Sequence, residues 1–149
     1  MISLIVADDH KIFREGLLKM LASASHIRII GDAGDGESTF QMITNEKPDV
    51  AVIDISMPGM DGLQIIEKLR EQDGINTKII LLTMHNSAAL ASRAIKLGAA
   101  GYLLKDNTFR DLIYAIETVT AGKKFISTDI SEKLLCDNHG DKADKLLLL

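Results

Sequence analysis

Short apolar runs alternate with stretches of helical period five times in the first 122 residues. No other feature limits the fold so strongly. The runs cover residues 2–7, 27–33, 49–54, 78–83 and 102–104 and are rich in isoleucine, valine and leucine. Each reads as a strand buried on both faces. Between them the period changes to that of a helix. Phe13, Leu17, Met20, Leu21 and Ala24 share one face, with Arg14, Glu15 and Lys19 off it. A short helix over residues 37–46 is stopped by Pro48. Helices over residues 63–71 and 87–97 follow, the second closed by Gly98. In the last helix Phe109, Leu112, Ile113, Ile116 and Val119 form the stripe, which ends near Gly122. Strand–helix alternation of this kind predicts an α/β fold with a parallel sheet covered by helices on both sides.

Polar residues stand where the strands end. Asp8 and Asp9 close the first, Asp54 the third, Thr83 the fourth and Lys105 the fifth. Any one of them is explained by a helix cap or a turn. Together they are not, because the carboxyl ends of parallel strands share one edge of the sheet, where open α/β folds place ligands. Three carboxylates gathered there repel one another, and a hard divalent cation with oxygen ligands resolves the repulsion. Mg²⁺ fits such a set, with Mn²⁺ as the alternative. Asp54 is followed by Met57-Pro58-Gly59 and Asp61-Gly62, which is turn chemistry. With a cation beside it, Asp54 can act as a nucleophile towards phosphorus, with Lys105 and Thr83 neutralising and hydrogen-bonding the transferred group.

Composition removes other classes. The chain has 149 residues, enough for one well-filled domain, and a net charge of −4, which argues against this segment gripping nucleic acid. One cysteine, Cys136, allows no internal disulfide and fits a cytoplasmic home. No apolar run reaches membrane-spanning length, and the N-terminus lacks the basic start of a signal peptide.

The segments VADDH (residues 6–10), VIDISMPGMDG (52–62), LLTMH (81–85) and GYLLKD (101–106) carry a family resemblance. The chain resembles the receiver domain of a bacterial two-component response regulator, most like the NarL/FixJ group with a LuxR-type helix-turn-helix partner domain. The resemblance implies a doubly wound (βα)5 flavodoxin-like sandwich with a five-stranded sheet in the order 2-1-3-4-5. It implies that Asp54 takes a phosphoryl group from a phosphohistidine on a sensor histidine kinase. It makes Asp9 a direct Mg²⁺ ligand, Asp8 the acid that holds metal-bound water, and Ser56 the donor of a backbone carbonyl ligand. Thr83 and Tyr102 correspond to the switch pair and Lys105 to the lysine on the phosphate. The domain is then a phosphoacceptor that catalyses only its own phosphorylation and dephosphorylation, and dimerises on phosphorylation.

Several positions depart from the common pattern or stay open. Asp106 follows the lysine where many receivers carry a proline, so no cis bond is expected there. Met84 is bulky after the threonine and is expected to crowd the phosphate entrance. Ser56, Met84 and His85 are expected to tune dephosphorylation, although His85 also reads as a solvent-facing loop residue. His10 reads as opening the first helix rather than binding metal. The domain plan is a receiver over residues 1–122, an extension with a short helix over 123–136 and a polar linker over 137–149 towards a DNA-binding domain not contained in this chain. A stand-alone regulator acting by protein contact is the alternative. An aspartyl-phosphate phosphatase of the haloacid dehalogenase type is a poor fit, because Asp8 and Asp9 are adjacent rather than spaced as D-x-D.

Overall fold

The structure is a computed structural model and describes residues 1–127. Strands and helices alternate through β1 (Ile2–Ala7), α1 (Lys11–Ala22), β2 (Ile27–Ala33), α2 (Gly36–Glu46), β3 (Val50–Asp54), α3 (Gly62–Arg70), β4 (Lys78–Thr83), α4 (Ala88–Leu97), β5 (Gly101–Leu104), α5 (Thr108–Thr120) and β6 (Phe125–Ile126). All strand pairs are parallel. The expected five-stranded sheet is a six-stranded one, in the order β2-β1-β3-β4-β5-β6. The extra strand is two residues long, which leaves no periodicity to read in the sequence. It exists because Gly122 turns the chain in the left-handed region (φ 88°), so that Phe125 and Ile126 pair with Gly101 and Tyr102. The expected short helix within residues 128–136 and the linker over 137–149 lie outside the described residues.

The period-2 geometry of the strands divides the core into two layers. Leu4, Val6, Val50, Val52, Ile80, Leu82 and Leu103 face α1 and α5, where Leu17, Leu21, Leu112, Ile116 and Val119 are buried. Ile5, Ala7, Ala51, Ile53, Ile79 and Leu81 face the other way, against Ile43, Ile65, Ile66, Ala91 and Ala94 from α2, α3 and α4. One expected stripe position fails. Phe109 is 51% exposed and sets its ring edge-on against Phe13 instead of entering the core. It occupies the first turn of α5.

The helix ends follow local chemistry. Lys47 closes α2 in the left-handed region (φ 47°), after which Pro48 forbids continuation. Asp61 and Gln64 form a capping box at the start of α3, so the loop that leaves Asp54 is fixed by two reciprocal hydrogen bonds. Gly98 closes α4 at φ 115°.

The same loop leans on α2. The Gly36 amide donates to the Pro58 carbonyl at 3.2 Å, and a Cβ on Gly36 would stand 1.8 Å from the Met60 carbonyl oxygen. Backbone cannot yield as a side chain can. Gly36→Ala is therefore expected to cost roughly 2–3 kcal/mol of stability. Urea unfolding checks this, and a loss under about 0.5 kcal/mol would contradict the packing described.

Candidate functional site

Four of the strands end at one edge, and the fold brings their polar residues together there. Asp8 and Thr83 are fully buried, Asp54 is 2% exposed and Lys105 6% exposed. Asp9, Ser56, Met84 and His85 lie at the exposed rim. Asp54 completes the central strand, and the next amide, Ile55, still pairs with the Leu82 carbonyl at 2.9 Å. The carboxylate is then held on both oxygens. The Ser56 amide donates to Oδ1 at 3.1 Å, and Lys105 Nζ donates to Oδ2 at 3.0 Å.

Lys105 is shared. Its ammonium also lies 3.0 Å from Asp8 Oδ2 and 3.3 Å from Asp8 Oδ1. Only the longer contact has hydrogen-bond geometry, which leaves the buried Asp8 Oδ2 with an ionic contact but without a hydrogen bond. Phe13 places its ring 4.8 Å from Nζ, adding a cation–π contact. Burial works against the Lys105 ammonium, but the Asp8 and Asp54 carboxylates outweigh it and raise its pKa. Burial likewise raises the pKa of Asp54, more than the Ser56 amide and Lys105 lower it, and the Asp8 charge adds to the rise. One cation is thus serving two buried acids and is insufficient for them.

The first strand's exit is locked by α1. The Arg14 guanidinium reaches back to the Asp8 carbonyl oxygen and bonds Asp32 Oδ2 at 3.0 Å. The Asp8 amide donates to the Ala33 carbonyl at 3.0 Å. His10 begins the helix, as the sequence suggested, but its side chain caps nothing. The ring turns into the acid site. Nδ1 lies 3.1 Å from Asp8 Oδ1, 3.3 Å from Asp9 Oδ1, 3.8 Å from Asp54 Oδ2 and 2.9 Å from Lys105 Nζ. Sequence reasoning missed this, together with Phe13 and Arg14. The available signal was position: all three lie within six residues of Asp8, on the first turn of the helix that leaves it.

The acid cluster can hold a metal ion. One ligand atom each from Asp8, Asp9, His10 and Asp54 lie within 4.8 Å of one another. Asp8 Oδ2 is a buried acceptor that has the Lys105 charge beside it but no hydrogen bond.

Thr83 and Tyr102, the expected switch pair, are both fully buried. Thr83 Oγ1 accepts from the His85 amide at 3.0 Å. Tyr102 is wholly buried with its ring inward, and its hydroxyl has no hydrogen bond of standard geometry. Burial raises its pKa, which the Thr83 side chain only partly offsets. Met84 is 69% exposed and lines one apolar pocket with His10, Ile12, Phe13, Lys105 and Phe109. The peptide bonds include no cis bond among the described residues, so Asp106 follows Lys105 in trans.

The comparisons with known proteins agree with this arrangement. The family model for the response regulator receiver domain matches residues 4–117. The chain is 36% identical to the response regulator GacA of Pseudomonas aeruginosa over 135 residues, covering 90% of this chain and 62% of that protein. It superposes on a LuxR-family two-component response regulator from an Aurantimonas species with a TM-score of 0.87, at 29% identity and over 93% of this chain and 98% of the other. It is also similar to the isolated receiver domain of RcsB from Salmonella enterica with the phosphomimetic BeF3⁻. That match has a TM-score of 0.79 at 30% identity and covers 88% of this chain and 96% of the other. Another RcsB structure, with two dimers bound to two parallel DNAs, matches with a TM-score of 0.80 at 30% identity, over 89% of this chain and 67% of the other. The chain spans about 60% of the length of the curated relatives it matches. The match of the family model over most of the described chain, on a sheet that gathers these acids at one edge, places the protein in the receiver-domain family of bacterial two-component response regulators, in their LuxR-type (NarL/FixJ) group.

Proposed function

We propose that this domain accepts a phosphoryl group on Asp54 from a phosphohistidine of a sensor histidine kinase and converts it into a change of conformation. The observation that carries this is the state of Asp54: a buried carboxylate at the end of the central strand, gripped on one oxygen by the Ser56 amide and on the other by Lys105. Attack by an Asp54 oxygen forms the P–O bond as the P–N bond to the kinase imidazole breaks, and the imidazole takes up a proton. Lys105 is positioned to follow the charge from the free carboxylate to the phosphoryl oxygens. Thr83 accepts the His85 amide and keeps its own hydroxyl proton to donate. Mg²⁺, held by Asp9, Asp54 and the Ser56 carbonyl with Asp8 on its water, would neutralise charge on the transferred group; Mn²⁺ fits the same donors. Ser56, Met84 and His85 stand at the rim, where they can govern water access and phosphate lifetime.

The readout runs through Thr83 and Tyr102. A phosphate that draws the Thr83 hydroxyl towards itself would favour the inward position that the Tyr102 ring already occupies. Coupling of about 1–3 kcal/mol is enough for such a switch. The output we favour is transcription, through dimerisation and a LuxR-type DNA-binding domain beyond the polar stretch 137–145 and outside this chain. Its support is the length of the relatives and the RcsB dimers on DNA. A cytoplasmic site of action suits that output, and among the described residues no helix is long and apolar enough to cross a membrane.

Two outcomes are expected. Incubation with acetyl phosphate and Mg²⁺ should add one phosphoryl mass to the wild type and none to Asp54→Asn; equal gains by mass spectrometry would refute Asp54 as acceptor. The charge balance gives the second. Asp54 has a raised pKa in the fold, so its contribution to stability is present at low pH and lost as pH rises through that value. Lys105 is raised above its already high value, so its contribution is fully present at neutral pH. Lys105→Ala should therefore lower metal-free stability at pH 7 by roughly 3 kcal/mol, by leaving buried acids uncompensated. Mg²⁺ should restore much of that loss at pH 7 and little at pH 4. Thermal melts in EDTA and in millimolar Mg²⁺ at both pH values measure it, and a pH-independent rescue would contradict the assignment.

A further inference from the structure

We infer that His10 is a nitrogen ligand of the cation site, and that it gives this site a stronger preference for divalent metals that accept imidazole, such as Co²⁺ and Ni²⁺, than oxygen ligands alone would. The inference rests on the reading of Asp8, Asp9 and Asp54 as a divalent-cation site, and deepens it.

The argument begins with what Lys105 is doing. Its ammonium is bound by Asp8, by Asp54 Oδ2 at 3.0 Å and by His10 Nδ1 at 2.9 Å. Nδ1 also lies 3.1 Å from Asp8 Oδ1 and 3.3 Å from Asp9 Oδ1, so the ring nitrogen is turned into the middle of the acid cluster, and in the Nε2–H tautomer it presents a lone pair there. In that tautomer the lone pair faces a positive charge held in common with two carboxylates. The partners of Lys105 are three of the four residues whose ligand atoms lie within 4.8 Å of one another, so the atoms that meet its charge are also placed to meet that of a metal ion.

The ring is also supported in that pose. The His10 amide donates to Asp8 Oδ1 at 2.8 Å, which ties the backbone beneath the ring to the deepest acid. No side-chain capping bond competes for Nδ1. The His10 side chain is 63% exposed, so an ion can reach it from solvent without opening the core. Mg²⁺ prefers oxygen and keeps its waters, whereas Co²⁺, Ni²⁺ and Zn²⁺ take imidazole readily. A mixed set of carboxylates and one imidazole therefore separates the two classes of metal more widely than carboxylates would.

The test uses the full chain and the metals themselves. Calorimetric titration with Mg²⁺ and Ni²⁺ should show His10→Ala losing roughly tenfold in Ni²⁺ affinity and less than twofold in Mg²⁺ affinity. Asp9→Asn should weaken both metals, which locates the nickel in the acid cluster. Pulsed EPR of the Mn²⁺-loaded protein should detect nitrogen hyperfine coupling from an imidazole, absent in His10→Ala. Equal losses of the two metals, undiminished Ni²⁺ binding in Asp9→Asn, or a nitrogen coupling that is missing in wild type or survives in His10→Ala each overturn the proposal. Mg²⁺ binding without the coupling overturns His10 alone; no Mg²⁺ binding at all overturns the cation-site reading with it. Neither result depends on whether Asp54 is phosphorylated.

Discussion

One ammonium holds the functional edge of this molecule together. Lys105 arrives from β5 and satisfies Asp8, 97 residues earlier, and Asp54, 51 residues earlier, in a region where water has little access. Taking two carboxylates out of water costs several kcal/mol each unless the charge is met. A single lysine meets it incompletely, as the raised pKa of Asp54 and the Asp8 oxygen without a hydrogen bond both record. That shortfall is chemically useful. A site left wanting positive charge is one that could hold a divalent cation.

The rest of the fold makes that confrontation unavoidable. Because all strands run parallel, their carboxyl ends meet at one edge, and the alternation of side chains seals both faces with apolar layers. The loop after Asp54 is then fixed from two directions. The capping box of α3 determines where it ends, and Gly36 determines how closely it approaches α2. Arg14 does the corresponding work for the loop after Asp8. The acids are thus mounted on rigid supports, while the rim residues Ser56, Met84 and His85 remain accessible.

The structure stores a second, smaller tension. Tyr102 is fully buried with a hydroxyl lacking a well-formed hydrogen bond, beside a threonine engaged with the His85 amide. An unsatisfied buried hydroxyl costs about 1–3 kcal/mol, which is comparable to the coupling that a switch of this kind requires.

How much was legible from the sequence differs by residue. Asp8, Asp9, Asp54, Thr83 and Lys105 could be placed on one sheet edge because burial and period are local signals, readable within a strand or a helix. Leu17, Leu21, Leu112 and Ile116 declared their faces for the same reason. Phe109 misled because periodicity cannot say which positions of a stripe the neighbouring elements cover. Phe125 and Ile126 escaped because a two-residue strand is created by its partner rather than by its own pattern. The sequence by itself determined which segments are strands and helices, which faces are apolar and which polar side chains close the strands. Only the tertiary structure decided that one lysine is divided between two acids, and that the His10 ring enters their site instead of capping its helix. Those outcomes depend on distances between residues remote in the chain, and on a competition for one ammonium that no local pattern encodes.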